Sequence, residues 1–425
     1  GFDSWLGYWH HSNDYWTHTE EKCSGRDVQD LWAMDQSTGR NEPATELENG
    51  PSCNAKNQAP APGETCVYEE QVLVNEVLRQ INTHSSSSSK PLYLLYSMHL
   101  VHMPLEAQEE ALAKFAHIHN EYRRQMHAMT YTVDLYVGQI VDALHASGMW
   151  EDTLLVFHAD NGGEIMTKFC GGNNYPLRGG KFSQFEGGIR VNAVVNGGYL
   201  PAGRRGQVET ALMSVADWYS TFLALAGLDA AQVVDEKAVA AALPALDSVN
   251  CWPLISGEAP SCRSEIAIGD TSALGFNGDG DALVGALIRG RYKLLLGPSN
   301  KGYHVAQDIL TGPFFPNASI IIPELHPKEC NRSPKVGSAG EGGGCLYDIY
   351  ADPSEESNLA ESHAELFLDM LARLDEVQQT VYSPIRGKKS KRACEKAKER
   401  GWYWGPFLGI DKNGSSMHSP AVTSM

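Results

Sequence analysis

No run of this chain approaches the ~18 consecutive apolar residues that a membrane-spanning helix requires, so the sequence offers no transmembrane segment. Its nine cysteines contain no C-x-x-C pair and are too scattered for a zinc pattern. No internal repeat is visible, and positive charge is scarce. With 34 basic against 52 acidic residues, the formal net charge of −18 argues against nucleic acid as a partner. One local basic cluster stands out, Lys388–Arg400 (KKSKRACEKAKER), and it reads as a solvated helix face. An initiating methionine and a signal peptide are also missing, and the true start is expected upstream of Gly1. What remains is 425 residues with 42% hydrophobic content, enough to bury a large core in one large domain and a smaller one.

The most informative stretch runs from Thr153 to Arg190. Leu154–Phe157 reads as a buried strand of the parallel type, followed at once by His158, Ala159, Asp160, Asn161 and two glycines. In open α/β sheets ligands bind beyond the carboxyl ends of strands. Asp160 and Asn161 are therefore candidate oxygen ligands for a hard cation, with Gly162 and Gly163 allowing a tight fold behind them; the bland alternative is a surface Asp-Asn-Gly turn. Further on, Lys181 follows a Gly-rich loop and precedes Glu186-Gly187-Gly188-Ile189-Arg190 and a second apolar strand, Val191–Val195, which brings a cation to the same sheet edge.

The pairing of ADNGG with PLRGGKFSQFEGGIR resembles the second half of the active site of the type I sulfatases, the formylglycine enzymes of the alkaline phosphatase superfamily. Within that family it is most similar to the arylsulfatase B (N-acetylgalactosamine-4-sulfatase) group. Supporting stretches occur in the family's order at Gly1 (GFDSWLGYWHHSNDYWTH), Leu92 (LYLLYSMHLVHMPLE), Ser214 (SVADWYSTFLALAG), Ile288 (IRGRYKLLLG), Leu346 (LYDIYADPSEESNLA) and Trp402 (WYWGPF).

The resemblance implies an α/β fold with an alkaline-phosphatase-like, mostly parallel sheet flanked by helices, over residues 1–270, and a smaller C-terminal α+β domain over 271–425. It implies a sulfuric ester hydrolase acting on sulfated carbohydrate or aryl sulfate. There a hydroxyl of a hydrated formylglycine attacks sulfur, the alcohol leaves, and the covalent sulfate is released as the aldehyde re-forms. One Ca2+ would be held in part by Asp160 and Asn161, while Lys181 would hold sulfate and ester oxygens. His102, which precedes Met103-Pro104 as in the family, would protonate the departing alkoxide; His99 does not match. Arg178 is expected to stabilise the turn, and Glu186 and Arg190 to be structural. Absent are the Cys/Ser-x-Pro-x-Arg motif that a formylglycine-generating enzyme modifies, the paired aspartates and a Lys-x-His pair. These are expected upstream of Gly1, so the 425 residues are expected to be inactive alone. The alternatives are a phosphoesterase of the same superfamily and a non-catalytic sulfatase-like protein.

Taken in order, residues 1–20 read as an aromatic and histidine-rich loop, 36–66 as a long loop pinned by Cys53 and Cys66, and Glu69–Asn82 as a helix. Leu92–Ser97, a helix at Tyr122–His145 stopped by Gly148, and Leu154–Phe157 form a β-α-β pattern, which implies a parallel crossover. A helix is expected at Ala211–Gly227 with Asp217 as a surface or capping residue, and Glu265–Ile268 as the last strand of the large domain. A hairpin at Leu283–Leu296, a strand at Leu346–Ile349 and a helix at Ser354–Gln378 follow. Short separations suggest the disulfides Cys53–Cys66, Cys251–Cys262 and Cys330–Cys345, with a partner for Cys394 expected upstream of Gly1. Together with acceptor triplets at Asn317, Asn331 and Asn413, the cysteines favour the secretory pathway, lysosomal or extracellular.

Overall fold

The computed structural model describes residues 1–84, 90–165, 171–181, 183–229, 233, 236–268, 285–296, 330, 343–380 and 390–407. The loops at 271–281 and 297–329 and the three glycosylation triplets lie outside the described residues, as do Cys170 and the Ser85–Ser89 linker. The chain divides into two compact units, Gly1–Met149 with Arg386–Met425, and Trp150–Ile385.

In the first unit, β1 (Ser4–Gly7), β4 (Trp32–Asp35) and β5 (Arg40–Pro43) form an antiparallel sheet in the order β1-β4-β5, and β2 (Thr19–Cys23) pairs with β3 (Arg26–Gln29). Both regions read as loops therefore contain strands, β1 and the start of β2 within residues 1–20 and β5 within residues 36–66. Val72, Val77 and Ile81 recur at helical spacing and are buried on one face of α1 (Glu69–Thr83). After α2 (Glu109–Lys114) comes α3 (Glu121–Ala146), capped by Asn120, whose side chain accepts from the Arg123 amide, and ended by Gly148 at φ +71°. Tyr15, Tyr68, Val74, Met129 and Tyr136 meet in the unit's main core. The C-terminal helix Arg392–Glu399 packs Ala397 with Cys23, Val28 and Trp404. Cys394 finds its partner within this chain, in Cys23, 371 residues away. The expectation of a partner upstream is thereby corrected; spacing carries no information about a closure of that length.

In the second unit, β6 (Leu155–His158) pairs antiparallel with β7 (Ala193–Asn196), next to the short helix α4 (Glu186–Ile189). Both strands were expected as apolar runs. The Leu92–Ser97 segment, by contrast, joins no ladder, and every ladder between described strands is antiparallel. Periodicity reports that a strand exists, not which neighbour accepts its hydrogen bonds, so the parallel order expected from the β-α-β pattern does not appear in the described ladders. Nor is β6 fully buried, because a two-stranded ribbon leaves faces uncovered.

The helix expected at Ala211–Gly227 is shorter, α5 (Asp217–Leu225). It starts where the Asp217 carboxylate accepts from the Ser214 amide at 2.7 Å, one half of a capping box. Asp217 is fully buried, not on the surface; it also accepts from the Val249 amide and is paired with Arg263. Of the residues expected on its apolar face, Val215 ahead of the helix is 71% and Tyr219 within it 49% exposed, while Leu212, Phe222 and Leu223 are half-buried.

Beyond α6 (Glu236–Ala240) and α7 (Trp252–Ser256), β8 (Glu265–Ile268), β9 (Gly285–Arg289), β10 (Tyr292–Leu296) and β11 (Cys345–Asp348) form one antiparallel sheet in the order β11-β10-β9-β8. The strand expected to close the large domain is thus an edge of this sheet. On one face, α8 (Ala364–Gln378) buries Phe367, Met370 and Leu374 against Leu287, Leu294 and Leu346. The three short-range disulfides form as expected, at separations of 13, 11 and 15 residues. Among the described residues no helix is long and apolar enough to cross a membrane.

Candidate functional site

Two sets of residues bear on function, one in each unit. In the second unit, β6 delivers the chain into Asp160-Asn161-Gly162-Gly163, and the backbone of this turn is laced to the Gly-rich loop. The Gly162 amide donates to the Gly188 carbonyl (2.9 Å), the Lys181 amide to Gly163 (3.2 Å) and the Gly187 amide to Arg178 (2.7 Å). Asn174 completes the tie. Its Oδ1 accepts from the Gly163 amide, and its Nδ2 donates to the carbonyls of Gly163 (2.8 Å) and Gly179 (3.0 Å). Asp160, Asn161 and Lys181 therefore stand on adjoining loops, as the sequence reading expected.

This packing explains the glycines. A Cβ on Gly162 would stand 1.7 Å from the Gly187 carbonyl oxygen, and one on Gly180 2.5 Å from that of Gly163. Gly162→Ala is expected to destabilise the second unit by about 3 kcal/mol or more, the upper end of overpacking penalties, because the obstacle is backbone. A urea midpoint unchanged from wild type would show that the two loops are not in this contact.

Below the loops lies a buried charged cluster that no spacing pattern announced. Lys293 on β10 lies 3.0 Å from Glu186 Oε1 and 2.8 Å from Glu355 Oε1, with all three side chains buried. The second Glu355 oxygen accepts from the Glu186 amide at 2.7 Å. Burial pushes the Glu355 carboxyl up, opposed by the ammonium beside it. Arg178 is buried, donates to the Glu355 carbonyl (2.9 Å) and lies over the Phe185 ring (4.0 Å), the expected stabilising role. Glu186 is structural as expected; the Arg190 side chain is exposed and makes no ion pair among the described residues. One signal was available, a lysine inside the apolar strand YKLLL. Glu355 gave none.

In the first unit, His102 sits half-buried with its Nδ1 2.9 Å from the Met103 carbonyl. A carbonyl only accepts, so Nδ1 carries the proton and Nε2 is the basic nitrogen. The backbone around it is held by Tyr15 and by Glu70 of α1. The Tyr15 hydroxyl lies 3.0 Å from the carbonyls of both His99 and His102, and Glu70 accepts from the Leu100 amide at 2.9 Å. His99 is buried beneath, stacked on Tyr15 with ring centroids 4.1 Å apart and its Nδ1 2.9 Å from Glu69 Oε1. Asn13 donates to the other Glu69 oxygen (2.9 Å). Burial drives the Glu69 carboxyl up to about 7 and the His99 imidazole down to about 4, so both favour their neutral forms. The expectation that His99 lacks the role of His102 agrees with its burial. Its partnership with Glu69 was invisible, because two acids opening a helix ordinarily read as solvated charges at its positive end. The N-terminal histidines and tryptophans pack on one another, as in Trp5 with Trp9 and His10 with Trp404.

As to a cation, neither Asp160 nor Asn161 makes a side-chain hydrogen bond or ion pair among the described residues. Both are hard oxygen donors of the kind calcium takes, although its usual shell needs about six to eight oxygens. The pair fits part of such a site. One other metal-like grouping among the described residues, Asp217 with Cys251 and Cys262, is spent: the cysteines are bonded to each other and the carboxylate to Arg263.

Comparison with known proteins adds to this picture. A family profile described as Sulfatase matches residues 1–228. Arylsulfatase J of Mus musculus is 27% identical over 417 residues, covering 96% of this chain and 61% of that protein. N-acetylgalactosamine-6-sulfatase of Canis lupus familiaris is 26% identical over 357 residues, covering 83% and 59%. The chain thus spans 61% and 59% of the length of these curated relatives. Among solved structures, it is similar to the PsFucS1 sulfatase from Pseudoalteromonas sp. (TM-score 0.54, 20% identity, covering 84% of this chain and 60% of that one). It is also similar to Ps i-CgsB in complex with k-i-k-neocarrahexaose (TM-score 0.55, 23% identity, covering 81% and 62%). At these identities the likeness establishes the α/β fold.

Proposed function

This chain belongs to the sulfatase family, whose profile takes in residues 1–228, and we propose that it supplies part of the active site of a sulfuric ester hydrolase for sulfated carbohydrate or aryl sulfate. The observation that carries the proposal is the lacing of the Asp160-Asn161 turn to the Lys181 loop through the backbones of Gly162, Gly163, Gly187 and Gly188.

In this reading Asp160 and Asn161 hold one side of a bound Ca2+, which would supply neutralising charge to sulfate oxygens. Lys181 presents a compact ammonium to a sulfate oxygen and to the bridging ester oxygen, where charge gathers as the S–O bond breaks. His102, whose ring the Met103 carbonyl fixes through Nδ1, delivers to the departing alkoxide the proton that Nε2 holds when the ring is an imidazolium. Glycine-backed loops keep Asp160, Asn161 and Lys181 from shifting. A formylglycine, made by a formylglycine-generating enzyme in sequence upstream of Gly1, would supply the attacking hydroxyl. Without it the 425 residues turn over no sulfate ester. The 4-sulfate of galactosamine as substrate is carried over only from the resemblance to the arylsulfatase B group. Four disulfides support residence in the secretory pathway, lysosomal or extracellular.

The test begins with the transcript upstream of the Gly1 codon. An in-frame Cys/Ser-x-Pro-x-Arg motif with paired aspartates is expected. The longer chain, expressed with the generating enzyme, should hydrolyse an aryl sulfate, and Lys181→Ala should lower kcat by about 10²–10³-fold. Sustained turnover by the 425 residues alone, or full activity of the Lys181 variant, would overturn the assignment.

A further inference from the structure

Positive charge in this acidic chain is gathered in one place. Between Arg386 and Gly405 stand eight lysines and arginines against two glutamates, leaving 26 against 50 for the rest of the sequence. The described part of this segment is firmly mounted on the first unit. Cys394 is bonded to Cys23, the Gln29 amide donates to the Trp402 carbonyl, and the Trp404 amide donates to the Gln29 carbonyl, both at 2.9 Å. That mounting joins the segment to a cation from a distant part of the chain. The Arg26 guanidinium lies 4.5 Å from the Trp402 ring centre and the Lys398 ammonium 5.7 Å from it. Lys391, at the N-cap of the same C-terminal helix, and Arg392 within it are exposed. Lys396 is paired with Glu399, but Arg26, Lys391, Arg392 and Lys398 have no carboxylate partner among the described residues.

We infer that Arg26, Trp402 and Lys398, flanked by Lys391 and Arg392, form a binding surface for a sulfated polysaccharide chain. Guanidinium groups bind oxyanions through paired N–H donors, and ammonium groups do so as point charges. The half-buried indole holds both cations over its ring and so fixes where they stand. The net charge of −18 does not forbid this. In physiological salt, charges more than about 8 Å away are largely screened, so the near cluster decides what a polyanion meets. Sulfated glycan is favoured over nucleic acid because the cations are mounted on a disulfide-bonded protein, the kind found in oxidising compartments. A helix face that only needed solvating would have no reason to bring Arg26 and Trp402 into register with it. The inference goes beyond the hydrolase reading and holds whether or not the chain takes part in catalysis.

The experiment is binding of the 425-residue chain to immobilised chondroitin sulfate, with chemically desulfated chondroitin and single-stranded DNA as competitors. Binding is expected to fall roughly tenfold or more between about 50 and 200 mM salt, as counterion release requires. Arg26→Ser/Lys391→Ser/Arg392→Ser/Lys398→Ser should weaken it at least tenfold with an unchanged melting temperature. The milder Lys391→Ser/Arg392→Ser variant should lose roughly threefold and serves if the fourfold variant fails to fold. Arg190→Ser, which removes an exposed cation that is not part of this surface, should bind as wild type. Binding unaffected by the surface variants, equal binding of the desulfated chain, or stronger competition by DNA would each overturn the inference.

Discussion

Lys293→Met is expected to destabilise the second unit by about 3–5 kcal/mol, the usual consequence of removing one partner from a buried ionic group. Methionine keeps the apolar stem that β10 packs into the core and deletes only the ammonium, leaving Glu186 and Glu355 buried together without a counter-charge. One of the two carboxyls must then take up a proton, and Glu355, already pushed up by burial, is the candidate. Urea unfolding near pH 7 measures the loss. In the triple variant Lys293→Met/Glu186→Gln/Glu355→Gln most of it should return, since replacing a whole buried ionic group is far less damaging than breaking it. A loss below about 1 kcal/mol in the single variant would mean that water reaches the cluster. The outcome bears on function, because Glu355 accepts from the Glu186 amide at the edge of the loop that carries Lys181.

The first unit is expected to be more stable near pH 5 than near pH 8. Burial raises Glu69 from 4.5 to about 7, with His18 and Asn13 opposing and Asp30 and Asp14 adding to the rise. Burial likewise raises Glu106 to about 7. A carboxyl raised in the folded state contributes stability that is complete below its unfolded value and is lost as pH climbs through the folded one, here between about 4.5 and 7. His99 runs the other way. Its folded value near 4 lies below the ordinary 6.5, so its contribution is complete above 6.5 and is lost as pH falls toward 4. Glu70 is also raised and His18 and His127 are also lowered, so three carboxyls oppose three imidazoles, and the two carboxyls that reach about 7 carry the gain on mild acidification. For fully buried Glu69 the swing is on the order of 3 kcal/mol. Thermal unfolding from pH 4.5 to 8 should show the wild-type slope, and Glu69→Gln should flatten it. Equal slopes for the two proteins would remove Glu69 from the account. A protein most stable at mildly acidic pH suits the lysosomal end of the proposed localisation.

Features that depend on neighbours in sequence were legible from sequence alone. Helical spacing located Glu69–Thr83 and Glu121–Ala146, the Arg289-Gly290 turn marked the β9–β10 hairpin, and short separations gave the bridges at 13, 11 and 15 residues. The same holds for the Asp160 turn and the Lys181 loop, because close backbone approach demands glycine and glycine is readable. Tertiary structure alone decided which strands pair, that Cys394 closes on Cys23, and that Asp217, Glu69 and Lys293 are buried. It also decided that Arg26 and Lys398 meet at Trp402. The physical reason is common to all of these. A strand edge, a thiol or a charge has no preference of its own for a partner hundreds of residues away. The choice is made by which surfaces the packed core brings within hydrogen-bonding or ion-pairing reach, and the free energy of that packing is a property of the whole unit.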